Sequence, residues 1–170
     1  MPLKKLETDL IVIARQSVTK EEENRIFVEH LKSLNTLEID ETVHRLDQVI
    51  TPKIDCTQCG NCCKTLMINV EEKEADIAAY HLKMSRTAFD EAFLEKSLSG
   101  KMLISKIPCH FLDDNKCTIY ESRFGGCREF PALHLPNIQK RLFTIFMHYD
   151  RCPIIYNVIE ELKTEVGFKL

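Results

Sequence analysis

Four cysteines fall within eight consecutive residues, Cys56, Cys59, Cys62 and Cys63 of "CTQCGNCC", and four more follow at Cys109, Cys117, Cys127 and Cys152. Packing gives no reason to crowd thiols in this way, so any fold this chain adopts must satisfy them chemically. Cysteine binds metal as the thiolate, and Cys-x-x-Cys lets two sulfurs turn toward one ion from a tight loop. Gly60, directly after Cys59, supplies the backbone freedom such a turn needs. A disulfide framework is the competing reading, and eight thiols would allow 105 pairings. Two arguments weigh against it. A chain of 170 residues can bury a core without disulfide stapling. The chain also reads as cytoplasmic, a compartment in which cysteine clusters are more often metal or redox sites.

The compartment reading rests on the termini and on charge. The start "MPLKKLETDLIVIARQ" carries Glu7 and Asp9 where a signal peptide would have its apolar region. No stretch free of acidic and basic residues approaches the ~20 apolar residues of a membrane span. A net charge of −3 and a pI near 6.1 lack the basic face that nucleic acid demands. The expected partners are therefore a metal ion and a protein partner or protein substrate, with no nucleic acid and no membrane.

The spacing leaves the metal open. Cys56, Cys59 and Cys62 at steps of three are similar to the ferredoxin run, in which a remote Cys-Pro supplies a fourth ligand, and Cys152-Pro153 is such a pair. That pattern favours iron in an iron–sulfur cluster, whereas the Cys-x-x-Cys-Gly turn favours zinc. Cys62 and Cys63 are adjacent, and neighbours usually send their side chains in different directions. They are expected to serve two neighbouring sites, or one of them is no ligand. On spacing alone the thiols divide into Cys56, Cys59, Cys62 and Cys152, and Cys63, Cys109, Cys117 and Cys127.

Other residues receive supporting roles. His110 and His134 are candidates for a non-sulfur ligand, whereas His30, His44 and His81 read as surface or half-buried helix residues. Arg128 and Glu129 read as an ion pair beside the thiolates. Phe111, Tyr120, Phe124 and Phe130 read as an apolar shell around the site. The chain has no Gly-rich phosphate loop and no Gly-x-Ser-x-Gly, and a lone nucleophilic cysteine would not need seven companions.

The expected fold class is α+β: a small helix-rich domain with short strands or a hairpin, organised around a cysteine metal cluster. Residues 1–51 form a helical segment packed on the core, and residues 52–170 form the cysteine-cluster domain. Thr19 and Glu22 have the form of a capping box, and Ile26, Phe27, His30, Leu31 and Leu34 share the face of the helix that follows. Ile39, Val43, Leu46 and Ile50 line a second helix that ends before Pro52. Leu10–Ala14 fits either a helix or a strand. "TLMINV" and "KMLISKI" read as strands, and "EEKEADIAAYHLKM" and "SRTAFDEAF" as helices, the latter capped by Ser85. Asp113-Asp114-Asn115 marks a hairpin turn, and Gly125-Gly126 marks irregular backbone. The final helices are "NIQKRLFTIFMHY" and "CPIIYNVIEELKTEVG", the second opening on Pro153 and closing at Gly167.

"CTQCGNCC", "PCHFLDDNKCTIYESRFGGCREFP" and "RCPIIYN" together resemble the YkgJ-like cysteine-cluster family, described as a zinc- or iron-chelating domain, over about residues 52–160. The elements occur in the family's order: Cys-x-x-Cys-x-x-Cys-Cys, Pro-Cys-x-Phe-Leu, Cys-x-Ile-Tyr, Cys-Arg-x-Phe-Pro and Cys-Pro. One departure is Phe124 after Arg123, where the family has Arg-Pro. The resemblance implies a bacterial, cytoplasmic metalloprotein with no settled activity, and the residues themselves make most of the eight cysteines the expected ligands of zinc or iron. Flagellin lysine N-methylases are similar in their cysteine-cluster part, which implies as an alternative an enzyme using the metal centre, a protein methylase or a redox protein.

Overall fold

The structure, a computed structural model, describes residues 4–170 and is α+β. Its internal contacts define two compact units. One comprises the residues up to 54 together with 131–170, and the other comprises residues 55–130. Among the described residues no helix is long and apolar enough to cross a membrane.

The chain begins with three helices, α1 (Leu10–Thr19), α2 (Glu21–Ser33) and α3 (Thr36–Ile50). Asp9 caps α1 by accepting from the amides of Ile11 and Val12. This settles the ambiguous run Leu10–Ala14 as helix. The expected capping box at Thr19 does not form. Thr19 closes α1, its hydroxyl donating back to the Arg15 carbonyl at 3.1 Å, and α2 follows Lys20 with no side-chain cap. A hydroxyl with a carbonyl four residues earlier already in reach has no call to turn toward the next helix. On α2 the buried positions are Asn24, Phe27 and Leu31, while Ile26 stays exposed. On α3 all four expected positions, Ile39, Val43, Leu46 and Ile50, are buried. Asn35 caps the helix, and it gives way to a 3-10 turn at Thr51–Lys53.

Residues 55–130 then fold by themselves. Two short helices, α4 (Cys56–Cys59) and α5 (Asn61–Thr65), lead to strand β1 (Asn69–Val70). Next come α6 (Glu72–His81), α7 (Arg86–Phe93), β2 (Leu94–Lys96) and β3 (Met102–Ile104). β3 lies between β1 and β2, antiparallel to both, with Val70 and Lys96 each opposite Met102. β2 was not anticipated: "LEK" has neither alternation nor β-branched residues, and it is a strand because β3 offers it an edge. β4 (Leu112–Asp113) and β5 (Lys116–Cys117) form the expected hairpin, with Asp114 and Asn115 both at positive φ, as a two-residue primed turn requires. Instead of irregular backbone, Gly125-Gly126 opens the short helix α8 (Gly125–Glu129). The core of this unit is Val70, Ala75, Ala78, Ala79, Phe89, Met102, Ile104, Phe111, Ile119 and Phe124, and Cys109, Cys117 and Cys127 pack against it.

From residue 131 the chain rejoins the first unit through a 3-10 turn (Ile138–Arg141), α9 (Leu142–Met147) and α10 (Pro153–Glu165). Asp40 on α3 accepts from the amides of Asn137 (2.6 Å) and Ile138 (2.9 Å), which fixes that turn. α10 packs on α3 and α1, and nearly every side chain from Pro153 to Lys163 is buried. Lys163 is among them; its ammonium meets Glu23 at 2.8 Å and Glu160 at 2.7 Å.

Candidate metal centre

Three segments of residues 55–130 carry seven thiols. Asp55 caps α4, accepting from the Thr57 amide (2.8 Å) and hydroxyl (2.7 Å). The helix stops after one turn because Gly60 adopts a left-handed φ of 58°, its amide closing onto the Cys56 carbonyl at 2.9 Å. The break lets α5 start in a new direction with Cys62 and Cys63 in its first turn. The β4–β5 hairpin is held against this corner. Asn115 Nδ2 donates to the Gln58 carbonyl at 3.4 Å, and a Cβ on Gly60 would stand 3.0 Å from Asn115 Cα. The Cys109 amide donates to the Cys63 carbonyl at 2.8 Å. Cys117 lies in β5 and Cys127 in α8. None of these seven is in a disulfide.

The electrostatics centre on Cys62. Cys63 donates its S–H to the Cys62 sulfur, and this hydrogen bond is the main reason the Cys62 thiol is held down at about 6. Burial opposes it, while backbone amides and the Arg123 guanidinium assist. The donor, Cys63, is pushed far up in turn, by that hydrogen bond and by burial. The two adjacent thiols are therefore electrostatically coupled. Burial raises Cys56, Cys109 and Cys117, and pushes Cys127 up to about 12. In each of these four, and in Cys63, the Cys62 thiolate adds to the rise, so its sulfur lies within electrostatic reach of thiols from all three segments. Cys63 also faces Cys109 and Cys127, and Cys56 faces Cys59.

Arg123 is the cation of this group, and it lowers the thiols of Cys56, Cys62, Cys117 and Cys127. The sequence reading gave it no role. Its position between Cys117 and Cys127 was the one available signal. The arginine singled out instead, Arg128, bonds to the Arg123 carbonyl and to Glu74 at 3.4 Å rather than to Glu129. The apolar shell is real at Phe111 and Phe124, which are buried 6.1 Å apart between ring centres. It fails at Tyr120, which is 47 % exposed and carries the Arg123 guanidinium over its ring.

The remaining candidates are His110, His134 and Cys152. His110 pairs with the Ser105 hydroxyl at 2.9 Å and meets the Phe93 ring edge-on; burial, then Lys106, lowers its pKa. His134 is exposed in the unit that holds residues 131–170. Cys152 belongs to that unit too, buried at the N-terminus of α10, where its carbonyl accepts from the Tyr156 amide at 2.9 Å. Among the described residues no three Cys, His, Asp or Glu side chains are arranged to hold an ion as they stand. The donor set itself suits zinc or iron: clustered sulfurs, one already favouring the thiolate, beside a single guanidinium.

A family model described as "CxxCxxCC: Putative zinc- or iron-chelating domain" matches residues 55–152, more than half of the chain. No curated protein and no solved structure matches.

Proposed function

This chain belongs to the CxxCxxCC family, and from that premise we propose that it is a metal-chelating protein holding zinc or iron on cysteine thiolates. Cys56, Cys59, Cys62, Cys63, Cys109, Cys117 and Cys127 are the proposed ligands within residues 55–130. Cys152 is the eighth thiol of the set proposed from the sequence. The observation that carries the reading is the convergence of thiols from α4–α5, the hairpin and α8 on Cys62. A bound ion would cross-link these segments, whose strands of two or three residues offer little stability alone. The protein's own contribution is to hold the sulfurs on short capped helices and a tight hairpin and to set Arg123 against their charge. Each thiol that binds gives up its proton to solvent. A reducing, cytoplasmic setting agrees with thiols left unpaired.

Of the polar groups that the methylase or redox alternative would use, Tyr120 is exposed and the other two are hydrogen-bonded within the protein. Arg128 is occupied by Glu74 and a carbonyl, and His110 by Ser105. Elemental analysis and a visible spectrum of protein purified without oxygen test the proposal. About one or more equivalents of zinc or iron per chain support it. Folded protein containing neither, and taking up neither on reconstitution, would overturn it.

A further inference from the structure

We propose that Glu74 is a positioning residue for the metal centre, its carboxylate fastening the helix that carries Cys127. This rests on the chelation reading above, in which Cys127 is a ligand, and adds the group that sets where that ligand stands. α8 has five residues, and Phe124 at its start gives no side-chain cap. So short a helix needs its free amides satisfied from outside if it is to hold its shape.

The cap comes from α6. Glu74 stands in the first turn of α6, where its Oε2 accepts from the Glu71 amide at 3.0 Å and completes the capping box of that helix. Its Oε1 accepts from the Gly125 amide, the first of α8. One carboxylate therefore caps two helices. Arg128 closes the junction on the other side of Cys127: Nη1 donates to the Arg123 carbonyl, and Nη2 reaches Glu74 Oε1 at 3.4 Å. The Glu74 side chain is only 16 % exposed, so its oxygens have little water to turn to in place of these donors.

Gly125-Gly126 is the mark this junction leaves in the sequence. A Cβ at Gly125 would stand 2.8 Å from Glu74 Oε1, and one at Gly126 would meet Ile68 Cγ2 at 3.4 Å. Neither glycine has a positive φ, so close approach rather than backbone freedom explains them. Cys127 lies between Gly125 and Arg128, and its amide donates to the Phe124 carbonyl at 3.0 Å. Both flanks of Cys127 are thus tied to one carboxylate.

The test is reconstitution of the full chain with cobalt(II), whose sulfur-to-metal charge-transfer band reports bound thiolates, beside hydrogen exchange of the Gly125 amide in metal-free protein. Cys127→Ser sets the change in the band when that ligand is lost. Glu74→Ala is expected to release the Gly125 amide to fast exchange, to shrink the band as Cys127→Ser does, and to weaken cobalt binding about 10-fold. Glu74→Gln keeps an oxygen for the Gly125 amide and should restore most of each. Gly125→Ala displaces the same carboxylate with its Cβ and should repeat the loss, which decides the matter where Glu74→Ala does not fold. Ser85→Ala removes the cap of α7 in the same unit and should leave the band and Gly125 exchange unchanged. A full band in Glu74→Ala or Gly125→Ala, or an equal loss in Ser85→Ala, would overturn the proposal. So would Glu74→Gln as impaired as Glu74→Ala. Wild type that binds no cobalt, zinc or iron would remove the chelation reading itself, and an unchanged band in Cys127→Ser would remove Cys127 from it; the positioning role falls in both cases, while slow Gly125 exchange still reports the junction.

Discussion

The Arg123 guanidinium lies 4.1 Å from the centre of the Tyr120 ring, stacked on the half-exposed aromatic face. The ring steers a cation that also bears on four thiols. Replacing the charge without changing the fold should weaken metal binding, because Cys56, Cys62, Cys117 and Cys127 lose a counter-charge. Arg123→Gln is expected to reduce affinity about 10-fold, in the range found for supporting residues around metal sites. Tyr120→Ala should reduce it less, since the charge remains but its position loosens. Competition against a chromophoric chelator measures both. Equal affinities for all three proteins would show that Arg123 does not serve the site.

Gly60 has a left-handed backbone and no room for a side chain. A Cβ there would approach Asn115 Cα and Cβ at 3.0 Å, and neither atom can move without shifting the hairpin turn. Gly60→Ala is expected to cost about 2 kcal/mol in chemical denaturation, from left-handed strain together with the clash. The hairpin carries Cys117, so metal affinity should fall in the same variant. Asn115→Gly relieves the Cβ half of the contact and should recover part of the loss in the double variant.

The parts of the fold that were legible beforehand are those fixed by local chemistry. Ser85, Asp114-Asn115 and Pro153 each impose one backbone outcome on their own neighbours, and the structure follows them. The spacing of Ile39, Val43, Leu46 and Ile50 likewise admits one helix face. What was missed depends on pairing rather than on the segment's own pattern. β2 exists because β3 lies beside it, Leu94 pairing with Ile104 and Lys96 with Met102. At the site, cysteine identity and spacing marked the thiols. The role of Arg123 and the coupling of Cys62 to Cys63 come from side-chain placement, which no local pattern encodes. Arg128 drew attention through its place beside Cys127, yet Glu74, 54 residues away, holds it elsewhere.

Removing the metal should loosen residues 55–130 selectively. The Cys109 amide bonds to Cys63, and the Thr118 amide to Phe111 at 2.8 Å, in segments with little regular structure to protect them. With the ion gone, these amides are expected to exchange hydrogen much faster, and the melting midpoint of this unit should fall by roughly 10 °C or more. Amides within α10, buried along its length, should keep their protection. Hydrogen exchange before and after treatment with a strong chelator reads both regions in one sample. Unchanged protection at Cys109 and Thr118 in demonstrably metal-free protein would contradict the cross-link.

The helical unit makes its own prediction, independent of metal. Glu160 is approached by Lys163, Lys20 and the Tyr149 hydroxyl, and Lys163 is buried with Glu23 as its other partner. Burial works against the Glu160 carboxylate, but hydrogen bonds from Lys163 and Lys20 outweigh it and hold the group below its ordinary value of 4.5. A carboxylate with a depressed pKa in the folded state contributes stability that is fully present above its unfolded pKa. That contribution is lost as pH falls through the folded value. Stability should therefore be flat in this respect at neutral pH and should decline below about pH 4.5. Glu160→Gln should be less stable at neutral pH and should show a shallower acid decline, because the group that titrates is gone. Glu160→Ala should cost about 3 kcal/mol, the low end for breaking a buried pair, since it leaves the Lys163 ammonium with only Glu23. Urea denaturation at pH 7 and at pH 4 measures both effects, and an acid slope identical in wild type and Glu160→Gln would show that Glu160 is not the group responsible.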